Sequence, residues 1–369
     1  MFQVLSPRRF STLLVALLTL GSGSLTASAE KQVRVYNWSD YIDESILKEF
    51  TSETGIKVIY DVFDSNEVLE TKLLAGKSGY DLVVPSGQFL SRQIKAGVFQ
   101  KLDKSKLPNM KNLWPVISER VAVYDPGNEY AITYMWGTTG IGYNEAKIKQ
   151  RLQDAPVNSW DLVFKPDIAA KFKDCGIMML DAPDDVMSAA AKYLGFDPNT
   201  IDPAELEKVS TLLQSVRPYV KKFHSSEYIN ALADGDICVA VGWSGDILQA
   251  RDRAAEAGNG QVIKYSIPKE GAEIWFDVMA IPADAKNVEE AHILLDYLMR
   301  PDVIAKATNH TKYANANSPA RDLVSEEIRT DLSIYPEEGV MKNLYVKTAY
   351  DTKTQRTVTR AWTKIKTGK

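Results

Sequence analysis

The sequence predicts an α/β fold of two lobes that enclose a ligand cleft, and three observations carry that prediction. Residues 33–84 alternate short β-branched runs with amphipathic stretches in a β-α-β-α-β rhythm, the pattern of parallel strands joined by right-handed crossovers. Residues 160–241 hold a second alternation of their own. Two extended runs, 130–144 and 274–281, fit segments that leave one lobe for the other and return.

In chain order, residues 1–29 read as an export signal, with Arg8-Arg9, an apolar run over 13–20 and Ala27-Ser28-Ala29 as its three parts. Pro7 and the absence of a Lys after the Arg pair favour the ordinary secretory route over the twin-arginine one. A periplasmic location is expected, with a mature chain of roughly 340 residues, more than one core usually fills. The run Val33-Arg34-Val35 reads as a strand that ends in a polar turn carrying Trp38, Ser39, Asp40 and Tyr41. Ile46, Leu47 and Phe50 space a helix over 45–54 that stops at Gly55, and 56–60 reads as the next strand. A helix over 65–75 stops at Gly76, and the strand 80–84 ends at Pro85-Ser86-Gly87.

The glycines of 137–142 punctuate the first crossing. Beyond it come a helix near 160–171, a strand over 176–180, helices over 186–194 and 203–216, and a strand over 237–241. After the return crossing the chain reads as mostly helical, with a polar loop over 310–318. The expected partition is 30–136 with about 254–305 in one lobe, and 137–253 with about 306–369, including C-terminal helices, in the other.

Without the signal the chain has 42 Lys plus Arg against 48 Asp plus Glu, a balance that disfavours nucleic acid and anionic membrane surfaces and favours cationic ligands. No stretch after the signal is long and apolar enough for a membrane helix. The only cysteines are Cys175 and Cys238; in an oxidising compartment they suit a structural disulfide, with two buried thiols as the alternative.

An aromatic beside a carboxylate recurs at distant points: Trp38 with Asp40, Trp243 with Asp246, and Trp275 and Phe276 with Asp277, while Tyr313 lies in a polar turn. Strand-end and hinge positions are where a two-lobed protein builds its site. Aromatic faces and acids suit an amine cation, with hydroxyls such as Ser39, Ser86 and Ser225 to take N–H donors. Asp185 and Asp246 precede helices, so an N-cap role is the default for each. Asp277 lies in an otherwise apolar run, where an unpaired carboxylate is costly, so it calls for a cation. His224, His292 and His310 lack metal spacing, and no phosphate loop, dinucleotide fingerprint or nucleophile elbow is present, so neither cofactor, metal nor catalytic residue is expected. Aromatics flanking paired acids also describe a glycoside hydrolase, the enzyme alternative.

Taken together, Val35-Tyr36-Asn37-Trp38-Ser39-Asp40-Tyr41-Ile42, Tyr80-Asp81-Leu82-Val83-Val84-Pro85-Ser86, Leu180-Asp181-Ala182-Pro183-Asp184-Asp185, Phe223-His224-Ser225-Ser226, Gly242-Trp243-Ser244-Gly245-Asp246, Trp275-Phe276-Asp277-Val278 and Tyr313-Ala314-Asn315-Ala316-Asn317 resemble the periplasmic polyamine-binding proteins of ABC uptake systems, most closely the putrescine-binding branch. The resemblance implies a type II periplasmic-binding fold, a polyamine ligand, an inner-membrane ABC permease as partner, and a monomer. By motif position, Trp38, Trp243, Phe276 and Tyr313 would line the box around the ligand chain, with Asp246 and Asp277 binding its ends. Ser39, Asp40, Tyr41 and Ser86 would assist, and Asp185 would complete the site. Cys175 and Cys238 match a family disulfide. Where the family often has Glu-Glu after Ala-Pro this chain has Asp184-Asp185, which withdraws the carboxylate by one methylene and permits a water-mediated contact. A polyamine sensor that docks on a signalling receptor would share the same pocket.

Overall fold

The computed structural model describes residues 30–368; the expected export signal lies outside them. Residues 31–368 are built around a mixed sheet of ten strands: β1 (Gln32–Trp38), β2 (Lys57–Phe63), β3 (Leu82–Val83), β4 (Ala131–Asn144), β5 (Ile177–Met179), β6 (Val220–Phe223), β7 (Val239–Trp243), β8 (Ile263–Ser266), β9 (Ile274–Ala280) and β10 (Ala314–Asn315). The order is β2-β1-β3-β9-β4-β7-β5-β6, with β8 and β10 also paired to β4. The expected β-α-β-α-β unit is present: β1 lies parallel to both β2 and β3, and the helices Glu44–Thr54 and Asn66–Leu74 make the crossovers. Asp43 and Ser65 cap those helices through their side chains. Gly55, at φ 70°, ends the first in the left-handed conformation that glycine adopts without strain.

β4 is the structural axis. Two later strands pair antiparallel with its two ends, β8 with Ile141–Asn144 and β9 with Ala131–Thr138. Its first half packs Ile132, Tyr134 and Met135 into one apolar core with Val33, Phe50, Leu82, Phe276 and Leu294. Its second half packs Ile141 into a separate core with Trp160, Phe172, Ile177, Val209 and Val239. Both extended runs read from the sequence therefore exist, but only β4 spans the two cores; 274–281 lies wholly in the first, and the chain returns to it between β8 and β9. The 345–347 segment makes a further join: Tyr345 bridges to Glu273, and the helix Thr352–Thr367 buries Val358, Trp362 and Ile365 in the second core.

The packing departs from the expected partition in two places. Ala254 and Ile263 belong to the second core, because the helix Ser244–Ala257 and β8 both pack on that end of β4. Residues from Ala307 to Ile334 belong to the first, because β10 pairs with Met135 and Trp136. The polar loop expected over 310–318 thus contains a strand, and the helix expected near 160–171 is broken into the short turns Asp161–Phe164, Pro166–Ala169 and Ala170–Phe172. Pro166 supplies the interruption, since it lacks the N–H that would continue the first turn.

Cys175 and Cys238 form a disulfide that joins the entries of the neighbouring parallel strands β5 and β7. It closes a loop of 63 residues inside the second core. Replacing both with Ser is expected to lower stability by about 2–4 kcal/mol through the freed unfolded chain. Denaturant unfolding measures this, and an unchanged midpoint would contradict it.

Candidate functional site

A cavity lies between residues of the two cores and is lined by side chains from both. Its walls follow from strand periodicity. Along β9 and its preceding residue, Glu273, Trp275 and Asp277 line the cavity, while Ile274, Phe276 and Val278 turn to the opposite face and are fully buried in the first core. This corrects the assignment of Phe276: two-residue alternation removes it from the site and puts Trp275 there.

The first core supplies Trp38, Ser39, Tyr41, Ser86 and Tyr313. Trp38 stands at the end of β1, fixed by a 2.9 Å hydrogen bond from its Nε1 to the Val84 carbonyl. Its ring meets that of Trp243 edge-on, with centroids 5.4 Å apart. Tyr313 reaches the cavity because the helix beginning at Ser244 carries Gly245 opposite it; a Cβ at that position would lie 2.6 Å from the Tyr313 ring. Gly137 in β4 is likewise a close-approach residue, leaving room for the Trp275 indole.

Three aspartates converge from different elements, each held by neutral donors. Asp277 accepts from Tyr41 Oη at 2.9 Å and from Ser86 Oγ at 2.6 Å, and Ser86 Oγ accepts from Asn66 Nδ2 at 3.0 Å. Asp246 accepts from Tyr228 Oη at 2.7 Å and Tyr313 Oη at 2.6 Å. Asp185 accepts from Thr139 Oγ1 at 2.7 Å and Trp243 Nε1 at 2.9 Å. Neither Asp185 nor Asp246 is an N-cap: each sits in the first turn of its helix, behind the cap residues Ala182 and Trp243. That position gives the anion the favourable end of the helix dipole and aims the carboxylate at the cleft.

Burial dominates the titration of all three. It pushes Asp277 up to about 7, against the hydrogen bonds of Ser86 and Tyr41, with the charges of Asp185 and Asp246 adding to the rise. It lifts Asp246 and Asp185 to about 6 each. The five acids that line the cavity, Asp64, Asp185, Asp246, Glu273 and Asp277, face no lysine, arginine or histidine across it.

Asp40 is a second correction. It is exposed, at φ 54°, and pairs with Arg253 at 2.8 Å instead of lining the cavity. The tight turn after β1 directs Trp38 and Tyr41 inward and Asp40 outward. Ser225 does line the cavity, with a buried Oγ that has no hydrogen-bond partner. The polar turn over 224–228, which the sequence offers as a hydroxyl source, supplies Tyr228 to Asp246, whereas Thr139, which orients Asp185 from within β4, carries no local signal. Sequence reasoning missed Glu273, although the spacing 273, 275, 277 carried the signal. Among the described residues, no cluster of His, Cys, Asp and Glu has metal-binding geometry, and no helix is long and apolar enough to cross a membrane.

Residues 45–333 match the family model described as bacterial extracellular solute-binding protein. The putrescine-binding periplasmic protein SpuD of Pseudomonas aeruginosa is 56% identical over 98% of this chain and 100% of its own length. The putrescine-binding periplasmic protein PotF of Escherichia coli is 54% identical over 96% of each chain. The solved structure of the spermidine/putrescine ABC transporter substrate-binding protein PotD of Streptococcus pneumoniae is 31% identical, covers 92% of this chain and 99% of its own, and superposes with a TM-score of 0.73. The chain belongs to the bacterial extracellular solute-binding protein family, whose members are transport proteins and not enzymes.

Proposed function

We propose that this protein captures a polyamine, putrescine first and spermidine second, in the cleft between its lobes and delivers it to an inner-membrane ABC permease from the periplasm. One observation carries the reading: a buried cavity walled by Trp38, Trp243, Trp275 and Tyr313 presents carboxylates and no basic side chain. Burying several carboxylates without counter-charge is costly, and a flexible dication supplies that charge while its methylenes lie against ring faces. The relatives named for putrescine binding support the same ligand class. Contacts between the two cores, such as Trp38 against Trp243 and Tyr313 on Asp246, suit a hinge closure that a permease can recognise. Trp38, Ser39, Tyr41, Ser86, Asp185, Ser225, Trp243, Asp246, Trp275, Asp277 and Tyr313 are the proposed ligand residues, and the protein acts as a monomer.

Calorimetry with putrescine, cadaverine, spermidine, agmatine and glutamate tests the proposal. Micromolar or tighter binding of an amine, without binding of glutamate, is expected; binding of glutamate alone would overturn it.

The site also sets a pH dependence. Asp277 rises from an ordinary 3.8 to about 7 in the fold, so the ligand-free protein holds more protons than the unfolded chain between those values. Its own contribution to ligand-free stability therefore falls as pH rises through that window. A bound dication favours the ionised carboxylates, so affinity and the ligand-induced rise in Tm should both grow from pH 5 to pH 8, with proton release on binding near pH 6. Thermal shifts across that range measure this, and a ligand-induced shift independent of pH would contradict it.

A further inference from the structure

The helix Thr352–Thr367 holds five basic residues and no acid, in a chain whose balance is otherwise acidic. At about 100° per residue, Lys353, Arg356, Arg360 and Lys364 fall within an arc of about 80°, opposite Val358, Trp362 and Ile365, which are buried in the second core. All four are exposed, and they form a strip about 17 Å long. None of the four pairs with a carboxylate among the described residues; the ion pair of this helix is made on its flank, by Lys366 with Asp181 at 2.7 Å. Asp351, the nearest acid in sequence, is held as the N-cap by the backbone N–H groups of Lys353 and Thr354 and by Thr354 Oγ1.

The strip is firmly mounted. Asp181 also accepts from Trp362 Nε1 at 2.9 Å, and Arg217 Nε donates to the Lys366 carbonyl at 3.0 Å. Asp181 lies in the turn between β5 and the helix Pro183–Tyr193, so these bonds tie the strip to the lobe that carries Asp185. Between the cations stand threonines whose hydroxyls turn back on the helix: Thr359, Thr363 and Thr367 Oγ1 donate to the carbonyls of Gln355, Thr359 and Thr363. The exposed face therefore offers fixed positive charge, with no aromatic ring or large apolar side chain among its exposed residues.

We propose that this face is a docking strip for an anionic phospholipid surface, so that a protein acidic overall meets the membrane with one side of its second lobe first. Two features favour lipid over protein as the occupant. A stable protein interface needs an apolar or aromatic core, in which Lys is depleted, and this face has none. A bilayer with acidic headgroups presents a plane of charge that attracts basic side chains without such an anchor, within about a Debye length. The helix does not insert, because its apolar side is already packed in the second core. The acids elsewhere on the chain repel the same surface, so the attraction orients the approach and does not fix the protein there. Delivery to a permease would bring the strip to the inner membrane, but the attraction does not depend on which ligand the cleft holds.

Flotation of the full chain with vesicles tests this. With equal parts of phosphatidylglycerol and phosphatidylethanolamine in about 20 mM salt, the partition coefficient is expected to exceed that on phosphatidylcholine by about tenfold or more, and to fall to the phosphatidylcholine level in about 500 mM salt. The variant Lys353→Gln/Arg356→Gln/Arg360→Gln/Lys364→Gln should lose about tenfold or more of that partition, while its putrescine affinity and melting temperature stay with the parent's. A matched variant, Lys57→Gln/Lys95→Gln/Lys111→Gln/Lys264→Gln, changes exposed residues of other elements, carries the same net charge and should lose less than about threefold. No preference for anionic vesicles at low salt, or equal losses in the two variants, would overturn the proposal. Binding only to vesicles that hold the reconstituted permease would assign the strip to a protein partner and overturn it as well.

Discussion

Replacing Asp277 with Asn is expected to weaken putrescine binding by about 2 kcal/mol or more, roughly thirtyfold in Kd, while the fold survives. Asp277 is the most strongly shifted of the three aspartates, and its two donors, Tyr41 and Ser86, are neutral. The carboxylate therefore has no protein cation in contact, and the ligand's ammonium becomes its counter-charge. An amide keeps the volume and one acceptor for those hydroxyls but offers a cation only a dipole. Because the substitution also removes a buried acid, the ligand-free protein should melt at the same temperature or higher. Calorimetry and a melting curve on D277N measure both, and unchanged affinity would remove Asp277 from the site.

The second large effect is expected at Trp243. Its indole forms a wall against Trp38 and also donates Nε1–H to Asp185. Trp243→Ala removes the ring face and leaves Asp185 with Thr139 as its one remaining side-chain donor, a combined loss of about 3 kcal/mol, or roughly a hundredfold in Kd. Trp243→Phe separates the two contributions, because it keeps a ring and loses the N–H; an intermediate loss of about tenfold is expected. Equal losses in the two variants would show that the ring face contributes nothing.

Much of this arrangement was legible in the sequence because it follows from short-range rules. The β-branched runs at Val33 and Leu82, the stop at Gly55, and the glycine-punctuated crossing of β4 each carried a local signal that the fold respects. The errors trace to two physical causes. Motif position in the family resemblance points to Phe276, whereas a strand sends successive side chains to opposite faces; the period of two selects Glu273, Trp275 and Asp277 together. Asp40 was read as a ligand acid because it sits between Trp38 and Tyr41, but the turn exposes it to Arg253, which is 213 residues away. The pairings of Thr139 with Asp185 and of Tyr228 with Asp246 are of the same long-range kind. They depend on which segments lie beside one another, and nothing in the composition of those segments announces it.

In the proposed binding mode a small dication bridges acids that come from both cores. The most direct measurement is a crystal structure of the protein grown with putrescine. It should show one ligand molecule between Trp38, Trp243 and Trp275, with an ammonium about 2.7–2.9 Å from an Asp277 oxygen and the other end directed to an acid of the second core. Putrescine bound elsewhere, or a cavity occupied by an anion under the same conditions, would contradict it.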